Sequence, residues 1–149
     1  MLTIEKMLVL RSVSLFAAVR EEYLASAAAS ATEVRLAAGE ALFAEGDFGT
    51  SLFVIVSGRL EVVAGGKRVA ELGERNVVGE MAALDPEPRS ASVSALDDSL
   101  LLKLTSEDLD LLMSEDVEVA RGIIQTLCRR LRSVRNASSS GSNLEESRT

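Results

Sequence analysis

One stretch of this 149-residue chain concentrates residue types that can do chemistry. It reads Gly79-Glu80-Met81-Ala82-Ala83-Leu84-Asp85-Pro86-Glu87-Pro88-Arg89-Ser90-Ala91-Ser92-Val93. Glu80 to Leu84 are good helix formers, about one turn's worth. Pro86 and Pro88 end that turn and hold the next residues extended. Arg89-Ser90-Ala91 then opens a strand. The combination describes an anion pocket. A short helix inside a β structure presents backbone N–H groups at its N-terminus, which favours a negative ligand. Gly79 lets the backbone come close to that ligand. Arg89, returned by the proline loop, can fork onto two phosphate oxygens, and Ser90 can add a neutral hydroxyl contact. Glu80 is odd beside an anion. It makes sense if its carboxylate accepts a hydrogen bond from a ligand hydroxyl, as a carboxylate does for a ribose 2′-OH in dinucleotide folds.

The composition narrows the chemistry further. The chain has no histidine, which excludes Ser-His-Asp and Cys-His triads and His-ligated zinc or haem. Cys128 is the one cysteine, so there is no disulfide framework and no Cys-ligated cluster. No nucleophile–base pair and no paired acidic metal ligands can be named. The expectation is a binding protein and not an enzyme, without metal or cofactor. A net charge of −7 argues against a nucleic-acid-binding domain, which usually carries a basic face. The charge is uneven, because Val117 to Arg135 holds five arginines and one glutamate. No apolar run approaches the ~18 residues of a membrane span, and no basic-then-apolar secretory leader opens the sequence. The expected location is the cytoplasm, or the cytoplasmic face of a membrane if the chain is part of a longer protein.

The elements that must position these residues can be read from periodicity. Ile4, Met7 and Leu8 recur at helix spacing within an apolar segment from Ile4 to Val13, and a second helix is expected from about Val19 to Ala29. From Thr32 to Leu104 the texture becomes β. Short runs at Val34–Leu36, Ala41–Ala44, Leu52–Val56, Leu60–Val63, Val69–Leu72, Ser90–Ala95 and Leu100–Leu104 are separated by glycine-rich turns. Gly65-Gly66 reads as a hairpin turn. Strands this short and numerous, eight or so, would close into a roll or barrel of jelly-roll type. Helical texture returns at Thr105, whose spacing to Asp108 resembles a capping box, and a short helix follows through Met113. Ser114 is the expected cap of a long helix reaching about Arg135, with the apolar stripe Ala120, Ile123, Ile124, Leu127, Leu131 and Val134. That stripe reads first as a core or lid contact and second as a helix–helix dimer seam. The organisation is one domain over residues 1–136: helices to about 30, a β-roll over about 32–104, helices over about 105–135. A Ser-rich tail, 137–149, is expected to be disordered.

The chemistry-bearing stretch resembles the phosphate-binding cassette of the cyclic nucleotide-binding domain family. Relatives include the catabolite activator protein, protein kinase A regulatory subunits and cyclic-nucleotide-gated channels. The family pattern is roughly Phe-Gly-Glu-apolar-Ala-Leu, a short loop, then Pro-Arg-Ser/Thr/Ala-Ala-Ser/Thr-Val. Here it is matched by Val78 to Leu84 and by Pro88 to Val93. Gly39-Glu40, Glu45-Gly46-Asp47 and Leu52 to Gly58 are similar to the family's glycine-spaced strands. The chain departs from the pattern at Arg75 (usually the second glycine of Gly-x-Gly), at Val78 (usually aromatic), at Thr50 (usually acidic) and at Ala83 (often leucine).

The resemblance implies a mainly β fold, the cyclic nucleotide-binding β-roll with N-terminal helices and a long C-terminal lid helix. It implies that Arg89 pairs with the cyclic phosphate, that Glu80 binds the ribose 2′-OH, and that the amides of Ala82 and Ala91 help hold the phosphate. Gly79 and Met81 would line the ribose side, and Ser90 would sit where the family tunes purine choice. The function implied is a regulatory sensor that binds cAMP, favoured over cGMP, and signals by moving its C-terminal helix. Its partners would be the cyclic nucleotide and an effector domain, in another chain or in a longer parent, with no direct nucleic acid and a homodimer through the C-terminal helix as the second use of that helix. The alternative is a ligand-free interaction scaffold with a vestigial pocket.

Overall fold

The computed structural model describes residues 1–140. A β-roll is flanked by helices. Before it lie α1 (Thr3–Arg11), a 3-10 turn (Ser14–Phe16) and α2 (Glu21–Ser30). The strands are β1 (Thr32–Leu36), β2 (Ala41–Phe43), β3 (Phe48–Gly49), β4 (Ser51–Ser57), β5 (Leu60–Ala64), β6 (Lys67–Leu72), β7 (Val77–Val78), β8 (Glu87–Pro88), β9 (Ser92–Ala95) and β10 (Ser99–Thr105). A short helix, α3 (Glu80–Leu84), interrupts them after β7, and α4 (Ser106–Glu115) and α5 (Val117–Ser140) follow. One four-stranded sheet runs β1-β10-β4-β7, the other β2-β9-β5-β6, and β3 pairs with β8. The expected Gly65-Gly66 turn joins β5 to β6, with both glycines at positive φ (58° and 78°), as a tight two-residue hairpin requires. Three strands escape the sequence reading: β3, β7 and β8. Each is two residues long, too short to show alternation.

The core is double, and β4 belongs to both halves. Successive strand side chains point to opposite faces. Leu52 and Val54 therefore face the helices, packing among Leu10, Phe16, Leu24 and Leu109. Phe53 and Ile55 face the roll interior with Leu60, Val93 and Leu101. β10 divides in the same way, with Leu102 and Leu104 toward the helices and Leu101 inward. This explains why both strands read as continuous apolar runs without polar alternation.

The C-terminal helices follow the expected pattern in part. Thr105 Oγ1 accepts from the Asp108 N–H at 3.1 Å, and the Asp108 carboxylate accepts from the Thr105 N–H at 2.9 Å, which completes the capping box. The cap of the long helix is Asp116, not Ser114. Ser114 lies inside α4 and donates back to the Leu111 carbonyl. The buried Asp116 breaks the chain direction, and its carboxylate accepts from the Glu118 N–H at 3.0 Å. Either residue type can cap a helix; packing at the break selects Asp116. α5 also runs past Arg135 to Ser140, so residues 137–140 of the expected tail are helical, and the rest of it, 141–149, lies outside the described residues.

At the turn before β7, Arg75 has φ 71°, the left-handed conformation that glycine adopts freely and other residues rarely do. Arg75 thus holds a conformation suited to glycine at a position where the pattern this stretch resembles has glycine. The turn is held by Arg75 N–H to the Ile55 carbonyl at 2.8 Å and by Gly73 N–H to the Asn76 side chain at 2.8 Å. Arg75→Val, β-branched at positive φ, is expected to lower stability by about 1–2 kcal/mol, while Arg75→Gly leaves it unchanged or slightly raised. Urea unfolding midpoints of the two variants check this.

Candidate functional site

The site forms where α3 leaves β7 and where the proline loop returns. Gly79, the residue before α3, has φ 81°. That turn directs α3 across the end of the roll, with Ala82 and Ala83 buried beneath it. The Ala83 N–H makes the first intrahelical bond, to the Gly79 carbonyl at 3.1 Å. The amides ahead of it in α3 lie before the start of that ladder. Asp85 then turns extended, and Pro86 and Pro88 carry the chain into β8. There Phe48 pairs with Pro88 and Gly49 with Glu87. Two further backbone bonds clamp the next residue: Arg89 N–H to the Asp47 carbonyl at 2.6 Å, and Gly46 N–H to the Arg89 carbonyl at 2.8 Å.

The Arg89 side chain is thereby aimed inward, and the residue is only 9% exposed. Its Nη2 donates to the Ser51 carbonyl at 2.9 Å. Its guanidinium carbon lies 4.1 Å from the centre of the Phe43 ring, a cation–π contact. Its Nη1 is buried with no hydrogen-bond partner. Burial pushes the guanidinium pKa down, and the nearby Asp47 carboxylate opposes that. An arginine stays protonated in spite of such a shift, so the site holds a fixed, desolvated positive charge with donor capacity unused. An unsatisfied buried donor costs about 1–3 kcal/mol. An anion binding at Nη1 would recover that cost and gain a charge-assisted bond.

Two glycines make room for this charge. A Cβ on Gly49 would lie 2.3 Å from Arg89 Nε and 2.5 Å from Cζ. A Cβ on Gly79 would lie 2.4 Å from Arg89 Nη1 and 2.8 Å from the Ser51 carbonyl oxygen. Gly79 was anticipated from the sequence. Gly49, which reads there as a turn residue, was not, nor were Phe43 and the Ser51 carbonyl. The spacing of Gly46 and Gly49 around Asp47 was the available signal, but it does not say which distant side chain the gap admits.

A cavity of about 320 Å³ opens in front of Arg89, within the range of small-molecule pockets. All seven residues expected from the sequence line it: Gly79, Glu80, Met81, Ala82, Arg89, Ser90 and Ala91. Its apolar wall comes from Phe43, Val62, Leu72 and Val93. Met81 and Ser90 are exposed at the mouth, and Ala91 is half-buried. The Glu80 side chain, 19% exposed, accepts a hydrogen bond from Arg130 of α5 at 2.5 Å. Arg130 is a second residue the sequence did not single out. Among the described residues no group of three or more His, Cys, Asp or Glu side chains could hold a metal, and no helix is long and apolar enough to cross a membrane.

A family model described as the cyclic nucleotide-binding domain matches residues 33–116. The chain is 38% identical over 95 residues to the Pycsar effector protein XpPycTIR of Xanthomonas perforans, covering 63% of this chain and 31% of that one. It is 37% identical over 99 residues to the cyclic AMP receptor protein of Thermus thermophilus, covering 63% and 46%. The chain thus spans less than half the length of these two relatives. Among solved structures it superposes on the N-terminal domain of a transcriptional regulator from Streptomyces coelicolor A3(2) with a TM-score of 0.77. That match has 36% identity and covers 87% of this chain and 96% of that one.

The glycine cradle can be tested without a ligand. Gly49→Ala is expected to displace the Arg89 guanidinium from Phe43. Its Nε–H resonance, shifted by the ring in the wild type, would then move toward the value of an exposed arginine. Gly73→Ala, where a Cβ meets nothing within 4 Å, is expected to leave that resonance in place.

Proposed function

The chain belongs to the cyclic nucleotide-binding domain family, and from that premise we propose that it is a non-catalytic sensor module for a 3′,5′-cyclic nucleotide, cAMP in preference to cGMP. The observation that carries the reading is the buried Arg89 with its unbonded Nη1, facing a cavity that also holds Glu80. A cyclic phosphate supplies the missing acceptor, with the amides of Ala82 and Ala91 as further donors. Glu80 accepts from the ribose 2′-OH, Gly79 and Met81 flank the sugar, and the base lies against the apolar wall. A relative named as a cyclic AMP receptor protein supports adenine over guanine, and Ser90 at the cavity mouth stands where the family tunes purine choice. A relative named as a cGMP-dependent protein kinase, 37% identical over 76 residues, makes the purine preference a matter for measurement.

Signalling would proceed by population shift, the ligand favouring the conformer in which α5 closes toward the site through its greater affinity for that state. The effector is then the remainder of a longer protein or another chain, acting in the cytoplasm. α5 is suited to pass the signal to a second copy. Val119, Ile123 and Thr126 are buried against the body, whereas Val117, Ile124, Leu131 and Val134 are 70%, 60%, 70% and 50% exposed. With Ala120 and Leu127 these exposed residues follow the a/d spacing of a coiled coil. The core contact expected of the whole stripe is made in part: Ile123 is buried and Leu127 packs partly buried against the core, while Ile124, Leu131 and Val134 are exposed.

Calorimetric titration tests the binding. Affinity for cAMP in the micromolar range, about −8 kcal/mol, is expected, with weaker cGMP binding and loss of both in Arg89→Leu. No binding at millimolar nucleotide by the folded protein would leave the ligand-free scaffold. For the seam, sedimentation is expected to show a concentration-dependent dimer that Leu131→Glu dissociates.

A further inference from the structure

Two carboxylates line the cavity, Glu80 and Glu87, against one cation, Arg89. The two acids differ in their company. Glu80 is ion-paired to Arg130 from outside the cavity. Glu87 is exposed, and among the described residues no ion pair or side-chain hydrogen bond engages it. Its position follows from the short ladder of β8. Glu87 stands opposite Gly49, and directly opposed residues of an antiparallel pair share a face of the sheet. On that face a Cβ at Gly49 would lie 2.3 Å from Arg89 Nε. Arg89 is two residues beyond Glu87, so strand alternation places it on the same face. Arg89 is buried and Glu87 exposed. The acid therefore stands at the rim of the face whose floor holds the guanidinium. The carboxylate that bears on the guanidinium is that of Asp47, so the charge of Glu87 is directed at whatever enters and not spent on Arg89.

We propose that Glu87 is a specificity-determining residue: its uncompensated carboxylate lets the single negative charge of a cyclic phosphate reach Arg89 and rejects the double charge of a phosphate monoester. The inference rests on the cyclic nucleotide reading of the cavity. A phosphodiester ring has one ionisable oxygen and carries one charge. A nucleoside 5′-monophosphate carries the same base and sugar but close to two charges at neutral pH. One guanidinium neutralises the first kind of ligand and leaves the second with a surplus charge, which then faces Glu87. Repulsion between charges grows in proportion to the ligand's charge. At a hydrated rim it is moderated by water and salt, so a single carboxylate changes affinity by about three-fold per unit of ligand charge. The same carboxylate also weakens the cyclic nucleotide. Discrimination built on repulsion is obtained at some loss of affinity for the favoured ligand.

The test varies ligand charge while base and sugar stay fixed. cAMP and the methyl phosphate ester of 5′-AMP each carry one negative charge, and 5′-AMP itself carries close to two. All three are titrated calorimetrically, up to millimolar nucleotide, into the full chain as wild type, Glu87→Gln and Glu87→Asp. Glu87→Gln is expected to tighten cAMP and the methyl ester by about three-fold each and 5′-AMP by about ten-fold, because the repulsion removed scales with ligand charge. Glu87→Asp, which keeps the charge, is expected to keep the wild-type ratio between the nucleotides. Added salt is expected to shrink the gap between wild type and Glu87→Gln. Equal gains for 5′-AMP and its methyl ester overturn the inference. So does 5′-AMP that stays undetected in both proteins, since rejection then lies in shape and not in charge. Weaker cAMP binding in Glu87→Gln also overturns it, because the carboxylate would then be a contact to the ligand. If the wild type binds none of the three, the sensor reading itself fails and this inference with it. Binding of cAMP that depends on Arg89, with no added gain for the dianion in Glu87→Gln, removes the inference alone.

Discussion

The arrangement depends on keeping a guanidinium buried with one nitrogen unbonded. Arg89 would gain by turning out to solvent, because desolvation opposes its charge and Nη1 has no partner. Its backbone is held on both sides by the 46–47 turn. Its side chain is held by a carbonyl and an aromatic face, and the space it fills exists because residues 49 and 79 lack a Cβ. Each support comes from a different part of the chain. Such over-determination is what holds an unfavourable group in place at a functional site, and it fixes the position of an anion before the anion arrives.

The roll supplies these supports because its strands are too short and too numerous to do anything but fold back on themselves. β3 and β8 are two-residue strands, yet their pairing sets the Arg89 backbone. β4 carries Ser51, whose carbonyl accepts from Arg89, at the start of the strand that separates the two halves of the core. α3 sits at the same division. Val78 just before it packs in the roll interior, and Ala83 within it packs among the helices. A ligand at α3 therefore bears on both halves at once. Dense packing transmits small displacements instead of absorbing them, so the helical layer is well placed to register what happens in the cavity.

α5 completes that logic with two faces of different character. One is buried against α4 and the 3-10 turn. The other leaves Ile124, Leu131 and Val134 in solvent, on the part of the chain where arginines outnumber acids. The ion pair from Arg130 to Glu80 ties this half-attached helix to the cavity rim. A helix bound firmly along its first turns and lightly beyond them can change its docking without disturbing the core.

What the sequence determined by itself was local. Glycine, proline and helix-former spacing marked the cassette from Gly79 to Ala91, and every residue expected there lines the cavity. Periodicity separated helices from roll, and the capping box at Thr105 was legible because both partners lie within one turn. The tertiary structure decided whatever required two distant segments to meet. Strands of two residues carry no alternation to read. Ser114 and Asp116 are both cap-competent, and packing chose between them. The α5 period revealed an apolar stripe but not which neighbours would cover it. Gly49 looks like any turn glycine until Arg89 is placed against it, and Arg130 looks like a solvated arginine until Glu80, fifty residues away, is found beneath it. Local sequence restricts backbone torsions and caps directly, whereas a cavity and its charges exist only once chain closure has brought remote side chains together.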